Sequence, residues 1–99
     1  MPSIYGNFSA KTATETCLNV PASAWTALPT TAMSGRNLVE VYNKGENKLY
    51  FSFDNTVTTV KYRAAIGSGE MKIFPIQDNI TLYGQSTGGS NRVIITEYK

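Results

Sequence analysis

The residues of this chain that could carry out chemistry are few and scattered. None of the 99 residues is a histidine, and only one, Cys17, is a cysteine. Without histidine the chain lacks the commonest general base and metal ligand, so Ser/His and Cys/His nucleophilic sites and histidine-based metal sites are excluded. We therefore expect no metal site and no cofactor.

Carboxylates are the remaining candidates for acid–base chemistry. Glu40, Asp54, Asp78 and Glu97 could pair across neighbouring strands, as glycoside hydrolysis requires. Each stands at a predicted strand edge or turn, where a solvated or turn-capping role is expected. The Asp-Asn pairs at 54–55 and 78–79 lack the spaced carboxylates of a calcium loop and are predicted to form Asx turns. The sequence therefore favours a protein that is not an enzyme.

A single cysteine excludes an intramolecular disulfide. Cys17 stands in the run TCLNV beside Leu18 and Val20. We interpret it as a small buried side chain instead of a reactive thiol.

The charged residues do not form a binding surface in the sequence. Nine Lys and Arg against seven Asp and Glu give a net charge of +2, and the cations are spread from Lys11 to Lys99. Nucleic-acid binding requires a basic stripe interleaved with aromatics, and only residues 61–63, Lys-Tyr-Arg, approach one. No apolar stretch reaches the length of a membrane span, and the N-terminal residues show no secretory leader. We expect no nucleic-acid partner, no membrane partner and synthesis in a cytoplasm.

The elements that position these residues are strands. From residue 37 to residue 98, runs rich in β-branched and aromatic residues alternate with Gly, Asn, Asp or Ser clusters, at a spacing of roughly 8 to 12 residues. This spacing predicts one all-β domain over residues 16–99, an antiparallel β-sandwich or jelly roll of about six to eight strands. Two short strands are expected at residues 16–20 and 25–28. The later runs are LVEVYN, KLYFSF, TVTTVKY, EMKIFPI, ITLYG and RVIITEY.

The clearest alternation of apolar and polar residues lies in KLYFSF. It places Leu49, Phe51 and Phe53 on one face of a strand, and we expect these three side chains in the core. Val39 and Val41 share the buried face of the preceding strand in the same way. In the turn between the two strands, Gly45 is expected at a position tolerant of positive φ.

Residues 1–15 are predicted to be an extended N-terminal arm. The segment is small and polar apart from Ile4, Tyr5 and Phe8, so it cannot bury enough surface to fold by itself. It is either a frayed end or a segment ordered by a neighbour, and in the second case these three residues contact that neighbour. Further candidate interface residues, with ordinary core or surface positions as the alternative, are Trp25, Arg36 and Tyr42.

The order of these runs resembles the small β-sandwich virion structural proteins of tailed bacteriophages. In that group a strand of the type LVEVYN is followed by a hairpin into YFSFDN, and the chain closes on a strand of the type VIITEY. The resemblance covers residues 25–99 and consists of strand and turn residues, not of chemical groups. It is carried by GRNLVEVYN at residues 35–43, LYFSFD at 49–54, VTT at 57–59, PI at 75–76, ITLYG at 80–84 and VIITE at 93–97.

The resemblance implies a capsid decoration (cement) protein. Such a protein binds the major capsid protein on the outer shell of the virion, stabilises the shell, and is frequently a homo-oligomer, here expected to be a trimer assembled in the host cytoplasm. One alternative is a tail-fibre or adhesion module, in which exposed aromatics stack on sugar rings; the candidates are Tyr5, Trp25, Tyr42, Tyr50, Tyr62 and Tyr83. Another is a component of a head-to-tail or tail connector. The sequence does not separate these locations.

Overall fold

The computed structural model describes residues 10–56 and 63–99, and within these ranges the chain is all-β. Strand formation follows the period-two pattern of β-branched and aromatic residues. The described strands, in chain order, are β1 (Ala13–Val20), β2 (Thr26–Ala27), β3 (Leu38–Asn43), β4 (Leu49–Ser52), β5 (Ala64–Ile66), β6 (Met71–Phe74), β7 (Tyr83–Ser86) and β8 (Asn91–Tyr98).

The strands form two four-stranded antiparallel sheets. The first sheet has the order β1-β8-β3-β6 and the second has the order β2-β7-β4-β5. The chain passes from one sheet to the other at every connection except the one from β4 to β5, and this order is that of a jelly roll. The prediction of an antiparallel sandwich or jelly roll is confirmed.

The core lies between the two sheets. Leu49 and Phe51 are completely buried, as predicted, whereas Phe53 is half-buried and packs against the edge of the core. The Phe51 and Phe74 rings meet edge to face, with their centroids 5.0 Å apart, so the second and first sheets are joined by aromatic packing. The other buried members of the core are Val20, Leu28, Val39, Val41, Ile66, Ile76, Leu82, Val93 and Ile95.

The first strand begins earlier than predicted. Residues 13–15 pair with residues 96–98 of β8, so the expected boundary at residue 15 falls inside β1. The side chains of residues 13–15 are exposed and show no alternation of apolar and polar residues. Backbone hydrogen bonds to β8 alone hold this end of the edge strand, so the sequence pattern does not reveal it. Residues 1–9, with Ile4, Tyr5 and Phe8, lie outside the described part of the chain.

The prediction that Cys17 is buried was wrong. Its side chain is exposed, whereas Leu18 and Val20 face the core on either side of Asn19. Successive side chains of a strand point to opposite faces, so an inward Leu18 turns Cys17 to the outer face of the first sheet.

Two later strands also differ from expectation. The run at 80–84 was predicted to be a strand, but β7 starts at Tyr83 because residues 80–82 form part of a loop that closes one end of the sandwich. The short strand β5 was not expected as a separate element. Most of the predicted strand TVTTVKY, at residues 57–62, lies outside the described residues.

Candidate functional site

The inward face of β8 is apolar in its middle and polar at its two ends. Its buried residues, in order, are Asn91, Val93, Ile95 and Glu97. Glu97 meets Arg36 at the end where β3 begins, and we call this pair the charged closure. At the other end Asn91 lies near Asn43, the last residue of β3, and we call these two residues the amide closure.

The charged closure is a buried ion pair. The Arg36 and Glu97 side chains are 1% and 2% exposed, and Arg36 Nη1 lies 2.8 Å from Glu97 Oε2. Arg36 Nη2 also donates to the Ile80 carbonyl at 2.6 Å, and Glu97 Oε2 accepts a second bond from the Met33 N–H at 2.7 Å. The pair therefore fastens the loop before β3 and the loop before β7 to the end of β8.

These contacts correct the predictions for Arg36 and Glu97. Arg36 was a candidate interface residue with an ordinary core or surface position as the alternative, and the structure places it in the core. Glu97 was predicted at a solvated edge, yet its side chain is also enclosed within the domain. A buried charge is tolerated when it is paired and hydrogen-bonded, so each of the two makes the burial of the other possible. Their role is structural.

The amide closure is built from side-chain bonds to the backbone. Asn43 and Asn91 are completely buried. Asn43 Nδ2 donates to the carbonyls of Asn47 and Gly67, at 2.8 and 3.2 Å, and Asn43 Oδ1 accepts from the Gly45 N–H at 3.0 Å. Asn91 Oδ1 accepts from the Asn47 N–H at 3.1 Å. The two amides thereby fix the turn between β3 and β4.

Gly45 is required in that turn for a reason other than the predicted one. The glycines with positive φ in the described residues are Gly35, Gly69 and Gly89, so the expectation for Gly45 was wrong. A Cβ on Gly45 would instead lie 2.2 Å from Asn91 Oδ1, far inside any normal contact. Gly45 is there because the backbone passes close to the buried amide.

Two of the remaining candidate carboxylates, Asp54 and Asp78, also have structural partners. Asp54 Oδ1 accepts from the Thr56 hydroxyl at 2.7 Å and from the Thr56 N–H at 2.9 Å, which confirms the predicted Asx turn. These two bonds hold the pKa of the exposed Asp54 carboxyl below its usual value. Asp78 accepts from the Gly35 N–H at 2.8 Å and so supports the same loop as the charged closure. Glu40 is half-buried in β3.

The described residues contain no cluster of candidate metal ligands. Over residues 10–56 and 63–99 no group of three or more His, Cys, Asp or Glu is placed to hold a metal ion. In the same ranges every buried side-chain N or O atom has a hydrogen-bond partner. No helix there has the length and apolarity needed to cross a membrane.

An apolar row crosses the outer face of the first sheet. Directly opposed residues in neighbouring strands share a face, and Tyr42 of β3 is opposed to Ile94 on one side and Met71 on the other. Ile94 is in turn opposed to Cys17 of β1. Tyr42 and Met71 are 37% and 52% exposed. We call these four residues the Tyr42 row.

The structure places the predicted interface residues in separate locations. Tyr42 lies in the exposed row of the first sheet, whereas Trp25 is half-buried just before β2 of the second sheet. Ile94 and Met71 were not predicted as interface residues. Their place beside Tyr42 depends on the register between strands that are far apart in sequence, which the sequence pattern does not reveal.

Comparisons with known proteins bear on the fold. No known protein family and no curated protein matches the chain. A cupin-2 domain containing protein from Shewanella frigidimarina aligns with a TM-score of 0.54 and 12% identity, over 100% of this chain and 80% of that one. A structure described as Bacillus endospore appendages that form disulfide-linked pili aligns with a TM-score of 0.47 and 16% identity, over 98% and 96%. The first alignment shows a similar fold and transfers no activity.

Proposed function

We propose that this protein is a non-enzymatic structural component of a bacteriophage particle, a decoration protein that binds the outer surface of the capsid and stabilises the shell. The observation that carries the proposal is the combination of a filled jelly-roll interior with an apolar row on the outer face of one sheet. The phage context comes from the resemblance of residues 25–99 to small virion proteins.

The interior supports a structural role. The space between the sheets is occupied by aliphatic and aromatic side chains, and the polar groups at its ends are bound to one another or to the backbone. The chain contains no histidine that could act as a base near neutral pH. A protein of this kind acts through its surface.

The Tyr42 row is the surface best suited to a partner. Large exposed apolar side chains clustered on one face are typical of protein interfaces, and aromatic residues and Met are enriched there. The whole outer face of the first sheet, four strands at about 4.8 Å spacing and up to eight residues long, has an area of roughly 400 to 500 Å². A specific interface buries about 800 Å² per partner, so loops or the N-terminal segment must supply the rest. Ile4, Tyr5 and Phe8 are the residues we assign to that contribution.

Repetition makes modest contacts sufficient. In a closed trimer each subunit presents the same face, so a capsid-binding surface occurs three times around one axis. Once one subunit of the trimer is bound, the other two are held near their own sites at a high effective concentration, so the trimer binds more tightly than one subunit. Many copies around a shell would together resist outward pressure.

The proposal is tested by adding the purified protein to capsids that lack it. We expect on the order of hundreds of bound copies per head, as symmetric decoration requires, counted by quantitative mass spectrometry of sedimented particles. The variant Tyr42→Ser/Met71→Ser should lower occupancy at least tenfold, a loss of about 1.4 kcal/mol or more per site. Ile80→Ser removes an equally exposed apolar side chain from a loop and serves as the matched control.

Two results would contradict the proposal. About a dozen copies confined to the tail would assign the protein to a connector or fibre, because tail assemblies have low cyclic symmetry. Full occupancy by the Tyr42→Ser/Met71→Ser variant, with its circular dichroism unchanged, would remove the Tyr42 row from the interface.

One observation favours an adhesion module as the second candidate. In the second sheet Tyr50 is opposed to Gln85 and Tyr83 to Ser52, so the two tyrosines are diagonal neighbours on the outer face. Both rings are half-buried, and an amide side chain lies beside them. Chemical-shift changes at Tyr50 and Tyr83 on titration with host surface glycans would support this function, and their absence would leave decoration as the better assignment.

A further inference from the structure

A groove opens between the outermost strands of the two sheets. β5 ends the second sheet and β6 ends the first, and the space beside them has a volume of about 560 Å³. Ligand sites in proteins are typically about 300 to 1,000 Å³. The groove is separate from the Tyr42 row and from both closures. Its lining residues are Phe53, Arg63, Ala64, Lys72, Ile73, Phe74, Pro75 and Ile76.

The aromatic part of this lining is held in place by the core. The Phe53 and Phe74 rings meet edge to face with centroids 6.3 Å apart, and Phe74 makes the same kind of contact with the fully buried Phe51. Phe74 and Ile76 are themselves buried. The groove therefore has a fixed apolar floor before any ligand arrives.

Two cations lie over that floor. The Arg63 guanidinium carbon is 4.6 Å from the centroid of the Phe53 ring, and Lys72 Nζ is 5.8 Å from the centroid of the Phe74 ring. Cation–π attraction favours these positions and keeps both charges near the groove. None of the described lining residues is acidic. Within the described part of the chain, Arg36 and Glu97 form an ion pair, and no described carboxylate pairs with Arg63 or Lys72.

We propose that this groove binds a small amphipathic anion, in which a carboxylate, sulfate or phosphate group is carried on a short alkyl chain or a single aromatic ring. The apolar body packs on Phe53, Phe74 and Ile76. The anionic group lies between Arg63 and Lys72, where the guanidinium donates hydrogen bonds to two oxygens side by side and the ammonium adds a point charge. The proposal is independent of any role in a virus particle.

The edges of the groove disfavour an added peptide strand. β5 has three residues and β6 has four, and Pro75 follows β6 directly. Strand addition relies on a run of backbone hydrogen bonds along an open edge, and proline cannot donate one. A compact ligand uses the apolar floor and the two charges without needing that edge.

The test uses the full chain labelled with ¹⁵N and two probes whose alkyl tails differ by one carbon, decanoate and decyltrimethylammonium, both kept below their micelle concentrations. We expect decanoate to shift the amide signals of residues 63–64, 72–74 and 76 and to bind at least tenfold more tightly than the cation. Equal affinities would overturn the proposal, because they would show apolar partitioning alone. Decanoate shifts located elsewhere, or no shifts, would overturn it as well.

Charge variants sharpen the result. Arg63→Gln/Lys72→Gln should weaken decanoate binding at least tenfold. Lys44→Gln/Arg92→Gln removes one lysine and one arginine from exposed positions outside the groove and should leave the affinity unchanged. Retained binding in the first variant would contradict the assignment of the anion to Arg63 and Lys72. The two-probe comparison on the unmodified chain tests the proposal even if that variant folds poorly.

Discussion

The two ends of the β3–β8 pair are both buried and polar, but different interactions hold them. The charged closure joins Arg36 to Glu97 of β8, 61 residues along the chain, and fastens the loop before β7 through Ile80, which is 44 residues from Arg36. The amide closure joins Asn43 and Asn91 mainly to one short turn. Loss of a neutral partner leaves an unsatisfied amide, whereas loss of a charged partner leaves an uncompensated charge in a low-dielectric interior. The charged closure should therefore be the more fragile of the two.

The largest effect is expected from breaking the charged closure. Glu97→Gln removes the negative charge and leaves Arg36 buried without compensation, which should cost about 3 to 5 kcal/mol of unfolding free energy. Glu40→Gln makes the same change at a half-buried carboxylate on the outer face of the neighbouring strand and should cost about 0.5 kcal/mol or less. Urea denaturation of both variants measures the difference. Equal losses of unfolding free energy in the two variants would show that the buried ion pair contributes no more to stability than an outer-face carboxylate.

Removing both charges separates the value of the pair from the cost of breaking it. In Arg36→Met/Glu97→Leu no charge remains buried, so we expect the double variant to be more stable than Glu97→Gln. Recovery should be incomplete, because the Met33 N–H and the Ile80 carbonyl lose their partners. A double variant less stable than Glu97→Gln would mean that these backbone bonds outweigh the charge.

The amide closure is tested by crowding it. Gly45→Ala places a Cβ 2.2 Å from Asn91 Oδ1, so the turn or the amide must move, at a cost of about 1 to 3 kcal/mol. Gly88→Ala is the control, because a Cβ there has its nearest neighbour at the ordinary distance of 3.7 Å. Thermal unfolding of both variants provides the measurement. A Gly45→Ala melting temperature equal to that of Gly88→Ala would show that the closure is not tightly packed.

The sequence predicts the parts of the fold that follow the period of two. The alternation in LVEVYN and KLYFSF correctly assigned Val39, Val41, Leu49 and Phe51 to the core. The same rule, applied to Leu18, would have placed Cys17 outside. The alternation gives a wrong prediction at the ends of the inward faces. A polar residue there, such as Glu97, is predicted to be exposed to solvent unless its buried partner is known.

The candidate surfaces were harder to predict than the core. Met71 and Ile94 join Tyr42 through the pairing of β6, β3 and β8, which brings together residues 42, 71 and 94. The groove forms because the outermost strands of two sheets end side by side. Both depend on topology, and periodicity along one strand carries no information about which strands become neighbours.

The smallest expected effect concerns Asp54, an exposed carboxylate that contrasts with the buried Glu97. Hydrogen bonds from the Thr56 hydroxyl and N–H lower the pKa of Asp54 below its usual value. When the pKa of a carboxyl is lower in the folded state than in the unfolded state, it contributes stability that is complete above the unfolded-state pKa and is lost as the pH falls through the folded-state pKa.

Thr56→Val keeps the N–H bond but removes the hydroxyl bond, so the pKa of Asp54 should rise toward its usual value, as measured by NMR titration of the side-chain carboxyl. Thr81→Val, at an exposed position in another loop, should leave it unchanged. Because Asp54 is solvated, water compensates for the lost bond, and the unfolding free energy at neutral pH should change far less than in Glu97→Gln. If Thr56→Val is as unstable as Glu97→Gln, burial does not explain the difference in stability that we expect between these two carboxylates.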